Sequence, residues 1–72
     1  MAPVEIEGKP ANVSGTCPAL TFTIKGQAVY TTAATTFDGG TCADIKNGKD
    51  LEIEGMLMSD GRIRADIVEI DD

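Results

Sequence analysis

The sequence predicts an all-β fold, a small five-stranded barrel with a short helix between the third and fourth strands. Apolar and polar residues alternate in several segments, which is the period of half-buried strands. Short glycine-containing turns separate these segments. The tetrapeptide Glu5–Gly8 recurs as Glu52–Gly55, with its glycine in mid-strand, where a sharply coiled strand accommodates one. A chain of 72 residues accommodates one such domain, spanning residues 1–72.

The first strand is predicted over residues 4–13. Val4, Ile6 and Gly8 alternate with charged residues, so one face of this strand lies on the core. Pro10 has no N–H for a strand ladder, and the apolar alternation changes phase between it and Val13. A bulge or bend is therefore predicted between these two residues.

The second and third strands are predicted to form a hairpin within residues 20–32. A two-residue Lys25–Gly26 loop sets Phe22 opposite Val29 and Leu20 opposite Thr31. Because Leu20, Phe22 and Val29 then share a face, the turn and the apolar pattern agree on one register.

The segment between the two hairpins predicts little regular structure. Thr35–Phe37 has the composition of a short extended piece. Thr41–Lys46 predicts one or two turns of helix, which Asn47 and Gly48 then end.

The fourth and fifth strands are predicted over residues 50–58 and 62–70, joined by a three-residue loop, residues 59–61. In that register Leu57 lies opposite Ile63 and Ile53 opposite Ile67, on the core face. A two-residue loop would instead set Leu57 against an arginine. The alternation breaks again after Ile67, which predicts a late bulge.

This order of elements, three strands, a short helix and two strands, is that of an OB-like barrel. An open five-stranded sandwich with the same strand pairs is the alternative.

Two cysteines, Cys17 and Cys42, lie in Gly/Thr/Pro-rich turn segments. This setting favours a disulfide that closes a loop of about 26 residues, and such a bond indicates a periplasmic or extracellular location. Two reduced, buried thiols in a cytosolic protein are the alternative. The apolar runs are far shorter than the roughly 20 residues of a membrane span, so no membrane insertion is expected.

The chain resembles a bacterial family of OB-like domains of unknown function, found often as repeats in secreted proteins and envelope lipoproteins. The segments that carry this resemblance are Phe22–Val29, Thr35–Asp38, Leu51–Gly55, Asp60–Gly61 and Ala65–Ile70. The resemblance implies an exported β-barrel module with no assigned chemistry, and it supplies no catalytic residues.

Charge and composition exclude several functions. Twelve acidic and six basic residues give a net charge of −6, which argues against a nucleic-acid partner. There is no histidine to act as a general base, and both cysteines are assigned to the disulfide, so the chain is not expected to be an enzyme. No cofactor is expected.

Two groups of residues have metal-ligand chemistry. Glu5 and Glu7 on the first strand would lie beside Glu52 and Glu54 on the fourth if those strands are neighbours, which suggests weak Ca²⁺ binding. Met56 and Met58 have the soft sulfur that Cu(I) prefers. A solvated acidic face and apolar surface cover are the simpler explanations.

The predicted function is a non-enzymatic structural or protein-interaction module of an exported bacterial protein. Its partners would be another protein or the neighbouring domains of its own chain. Thr21, Thr23, Tyr30 and Thr32 form the candidate ligand or partner face. A periplasmic domain that binds a small ligand or metal ion is the alternative.

Overall fold

The fold is all-β, as the alternation predicts, but it is a seven-stranded open sheet. The computed structural model describes residues 1–46 and 48–71. The strands are β1 (Ala2–Gly8), β2 (Pro10–Thr16), β3 (Ala19–Ile24), β4 (Gln27–Tyr30), β5 (Thr36–Asp38), β6 (Asp50–Leu57) and β7 (Ile63–Asp71).

The sheet order is β1-β6-β7-β4-β3-β2, with β5 paired to β7 beside this path. Within the described residues β1 and β2 are the two ends of the path and have no ladder between them. The prediction of a closed five-stranded barrel is therefore wrong. Four of the strand pairs are antiparallel, whereas β4 and β5 both run parallel to β7.

The strand count rises from five to seven for two reasons: the extended piece expected at Thr35–Phe37 pairs with β7 as β5, and the predicted first strand is two strands. Gly8 has φ +157°, and the chain turns at Lys9, so β1 pairs with β6 while β2 pairs with β3. The predicted bulge after Pro10 is confirmed, since the β2–β3 register shifts between Ala11 and Ser14. Asn12, at φ 56°, lies within that irregularity.

The predicted helix is also wrong. Within Thr41–Lys46 only a three-residue 3-10 turn forms, Cys42–Asp44. The Asp44 carboxylate accepts the Thr41 backbone N–H at 2.8 Å, which closes this turn. Ile45 then adopts an extended conformation and lies 4% exposed in the core, so the need to bury its side chain ends the turn. Part of the predicted stop signal, Asn47, lies outside the described residues.

Both hairpin loops form as predicted. Lys25 and Gly26 have φ 53° and 80°, and Phe22 pairs with Val29. Two positive φ angles are typical of the type I′ turn, whose twist matches that of the flanking strands. In the other hairpin, Gly61 has φ 87° and Leu57 pairs with Ile63.

The predicted pairing of Ile53 with Ile67 is wrong. Ile53 pairs with Val68, because one extra residue of β7 is accommodated where the register shifts between Glu54 and Gly55. Val68 is fully buried in consequence, whereas Ile67 is 38% exposed. The late bulge exists, but it lies before Ile67 rather than after it.

The core collects the inward residues of most strands and one residue of the connecting segment. Its members are Leu20, Phe22, Ile24, Val29, Ile45, Leu51, Ile53, Ile63, Ala65, Val68 and Ile70. One polar residue, Thr31, is buried among them, and its hydroxyl accepts the Leu20 N–H at 2.9 Å.

The disulfide is confirmed. Cys17 follows β2, Cys42 begins the 3-10 turn, and their Cα atoms lie 5.9 Å apart. The bond attaches the segment between β5 and β6 to the β2–β3 connection. No helix in the described part of the chain is long and apolar enough to cross a membrane.

Candidate functional site on the outer face of the sheet

One row of outward residues crosses all six strands of the sheet path. The register pairs place them side by side in the order Pro3, Met56, Arg64, Tyr30, Thr21, Ser14. The strand neighbours of Arg64, Tyr30 and Thr21 are buried, and Val4 and Val13 beside Pro3 and Ser14 pack against the core, so alternation directs this row away from it. We call these six residues the central row.

Tyr30 and Arg64 are neighbours in the middle of the central row, and Arg62, just before β7, contacts Tyr30. The Arg62 guanidinium carbon lies 4.3 Å from the centre of the Tyr30 ring, a cation–π contact. Arg64 is the register partner of Tyr30 on β7. Each arginine is held by an aspartate, because Arg62 Nε donates to Asp60 at 2.8 Å and Arg64 Nε donates to Asp66 at 3.0 Å.

These contacts shift the titration of the paired groups. The backbone N–H and the side chain of Arg62 donate to Asp60 and hold the pKa of that carboxyl below its usual value. The hydrogen bond and charge of Asp66 raise the pKa of Arg64. Asp60 thus holds the guanidinium that lies over the Tyr30 ring, and Asp66 holds the side chain of the neighbouring Arg64, although both pairs are partly exposed.

The predicted threonine–tyrosine face is brought together in part. Thr21 is exposed and pairs with Tyr30, and Thr23 lies on the same face of β3. The Thr23 hydroxyl donates to the Ala11 carbonyl at 3.3 Å and is thereby engaged within the sheet. Thr32 lies beyond β4, where its hydroxyl accepts the Ala34 N–H at 3.1 Å in a turn. Thr21 is thus the exposed member of the set, and Tyr30, Thr23 and Thr32 are half-buried.

A second row of outward residues is wholly acidic. Glu7, Glu52, Glu69 and Asp38 are successive register partners across β1, β6, β7 and β5. They line an open depression of about 330 Å³. We call these four residues the acidic row.

The acidic row raises the pKa of Glu52. Repulsion from Glu69 is the largest cause, followed by partial loss of hydration and by the charges of Glu7 and Glu5. Like charges directly opposite each other destabilise a sheet. The expected adjacency of the two glutamate pairs is thus observed, with Glu5 opposite Glu54 and Glu7 opposite Glu52.

The candidate metal ligands do not converge. Among residues 1–46 and 48–71, no group of three or more acidic or cysteine side chains is arranged to hold an ion. Met56 pairs with Arg64, and Met58 lies past the end of β6, where its backbone N–H donates to the Arg62 carbonyl at 2.8 Å. Calcium or copper(I) binding by these residues stays a prediction, which a thermal-shift titration with each ion checks.

Several residues of this face were not expected from the sequence. Glu69 joins the acidic row through the shifted β6–β7 register, and Asp38 joins it through the parallel β5–β7 pair, for which no local sequence signal exists. Ile67 is exposed on this face, although the predicted register places it in the core. The break in alternation at Ile67 and Val68 is the sequence signal for this change of face.

The sequence of residues 11–69 matches the family described as Domain of unknown function (DUF5666). The chain belongs to the DUF5666 family. The match runs from β2 nearly to the end of β7, so it covers most of this DUF5666 domain and includes Tyr30, Arg62 and Arg64. A search of curated proteins and a search of solved structures found no match. The expected resemblance is confirmed at the level of a family of unknown function.

Proposed function

We propose that this DUF5666 domain is a non-enzymatic protein-interaction module of an exported bacterial protein. It binds its partner, another protein or a neighbouring domain of its own chain, through the central row around Tyr30. The observation that carries the proposal is the grouping of Tyr30, Arg62, Arg64 and Met56 on one outward face.

The composition of that face supports protein binding. Tyrosine, arginine and methionine are enriched in protein interfaces, whereas glutamate and aspartate are depleted. Here Tyr30 and the two arginines occupy the middle of the sheet, and the acidic row lies to one side. Tyr30 and Arg62 are of the residue types that most often contribute most of the binding energy.

The contact between Tyr30 and Arg62 favours a protein over a stacked base or sugar. One face of the ring is already covered by the guanidinium at 4.3 Å, and a flat ligand would have to displace it there. A protein partner can instead contact the ring edge and the guanidinium together.

The disulfide supports an exported setting. Disulfides persist in oxidising compartments and are rare in the cytosol. The Cys17–Cys42 bond therefore favours the periplasm or the cell exterior as the place where the domain acts.

Site-specific photo-crosslinking tests the proposal in the cell that makes the protein. A benzophenone amino acid replaces Thr21, which is exposed beside Tyr30. The matched control replaces Ala43, which is exposed in the 3-10 turn. We expect a discrete protein adduct from position 21 that is lost when Tyr30→Ala or Arg62→Gln is added, and none from position 43.

Arg62 is exposed, so the Arg62→Gln variant is expected to fold even if Tyr30→Ala is destabilised. The proposal fails if position 21 gives no adduct, or if its adducts persist in a folded Arg62→Gln variant.

A further inference from the structure

A groove lies at the β1 end of the central row, where β1, β6 and β7 run next to each other, and Pro3 and Met56 belong to both. It is open to solvent and has a volume of about 410 Å³. Its apolar lining includes Pro3, Met56 and Ile67, and its carboxylates are Glu5, Glu54 and Asp66.

The bulge in β7 produces this groove. Gly55 faces the Arg64 carbonyl so closely that a Cβ there would overlap it, and the register shifts at this point. The shift turns Ile67 outward to 38% exposure and sets it directly opposite Glu54. An apolar side chain and a carboxylate are thereby adjacent on the surface.

In the part of the chain that the structure describes, two of the three carboxylates form no salt bridge. Glu5 and Glu54 are register partners, and within the described residues neither forms a salt bridge. Asp66, by contrast, accepts Arg64 Nε at 3.0 Å. Two adjacent negative charges beside apolar side chains are complementary to a side chain that carries a cationic end group on an aliphatic chain.

We propose that the groove receives a lysine or arginine side chain of the partner protein. The aliphatic stem packs on Ile67 and Met56, and the charged head lies between Glu5 and Glu54. This inference rests on the proposed interaction function and names the chemistry that the partner must present beside the central row. A bare metal ion fits less well, because the apolar residues supply no oxygen ligands.

An NMR titration of the isotope-labelled domain tests this proposal. The probe is a blocked hexapeptide of alternating arginine and leucine. Two control peptides replace arginine by glutamine or leucine by serine, and a separate titration uses CaCl₂. We expect saturable shifts of the amides of residues 54–56 and 66–67 with the arginine–leucine peptide, and weaker binding of both controls.

Surface variants locate the binding. Glu54→Gln is expected to lower the affinity for the arginine–leucine peptide about two- to fivefold, as loss of an exposed ion pair does. Ile67→Thr is expected to lower the same affinity about threefold, because apolar contact with the peptide is lost. Glu69→Gln is the matched control, since Glu69 lies two residues further along β7 and outside the groove, and it should leave affinity unchanged.

Three outcomes overturn the groove proposal. They are the absence of saturable shifts, an equal loss of affinity in the Glu69→Gln variant, and saturation of the same amides by calcium alone. None of these affects the crosslink from position 21, whose dependence on Arg62 tests the interaction function separately.

Discussion

At the scale of single residues, Gly55 determines where β6 and β7 can approach each other. A Cβ at this position would overlap the Arg64 carbonyl oxygen and lie 3.2 Å from the Ala65 Cα, both of them backbone atoms. Backbone cannot rotate away as a side chain can, so the strands would have to separate. The bulge, the outward turn of Ile67 and the groove all depend on this absence of a side chain.

The substitution Gly55→Ala is therefore expected to destabilise the domain by about 3 kcal/mol or more, at the upper end of overpacking effects. Urea denaturation measures the change. Gly40→Ala is the matched control, because its new methyl would meet the Asp44 carboxylate and the tip of Ile70, which are side-chain atoms that can move. If Gly55→Ala lowers the free energy of unfolding no more than Gly40→Ala does, the result contradicts this explanation.

Residue identities allowed part of the candidate site to be predicted. Tyr30 and Thr21 alternate with core residues, so their outward position follows from sequence. The contact of Arg62 with Tyr30 joins residues 32 positions apart and depends on a parallel strand pair. No local pattern encodes such a pair, and this contact was therefore missed.

At the scale of strands, the acidic row sets four like charges side by side. Glu52, in its middle, has its pKa raised by Glu69 and Glu7. A carboxyl whose pKa is higher in the folded state stabilises the fold below its unfolded pKa, and this contribution is lost as pH rises through the folded pKa. At pH 7 the ionised Glu52 therefore opposes folding.

The substitution Glu52→Gln is accordingly expected to raise the Tm at pH 7, and the gain should disappear below about pH 4, where glutamates are protonated in both states. Thermal unfolding followed across this pH range measures it. Asp60→Asn is the control of opposite sign: the pKa of Asp60 is lowered by Arg62, so this variant should lower the Tm at pH 7. A pH-independent gain at Glu52 would show that charge repulsion is not its cause.

The hairpins could be predicted at this scale, and the sheet could not. Lys25–Gly26 and Gly61 specify their loops by positive φ, and each loop fixes its register. The division of the first strand at Lys9 and the parallel pairing of β5 with β7 depend on contacts between distant segments. The short 3-10 turn likewise results from the burial of Ile45 rather than from helix propensity.

At the scale of the whole molecule, a domain of 72 residues has a small core and benefits from a covalent link. The Cys17–Cys42 bond joins positions 25 residues apart and restrains the segment that carries Ile45. Loop closure in the unfolded chain gives such a bond a stabilising effect of about 3.5 kcal/mol.

The double substitution Cys17→Ser and Cys42→Ser is expected to lower the free energy of unfolding by about that amount. Urea denaturation of the variant and of the oxidised protein measures it. The unsubstituted protein, unfolded in the presence of a reductant, is the second comparison. Its free energy of unfolding should match that of the double variant. A loss below about 1 kcal/mol in both would contradict the structural role of the disulfide.

Both proposals depend on the register of β6 against β7, because the Met56–Arg64 pair sets the central row and the bulge beyond it turns Ile67 outward into the groove. A nuclear Overhauser experiment on the β6–β7 pair measures it directly. The structure predicts cross-strand contacts of Ile53 with Val68 and of Met56 with Arg64. Contacts of Ile53 with Ile67 instead would place Ile67 in the core and contradict the groove, and a different β7 partner for Met56 would contradict the central row.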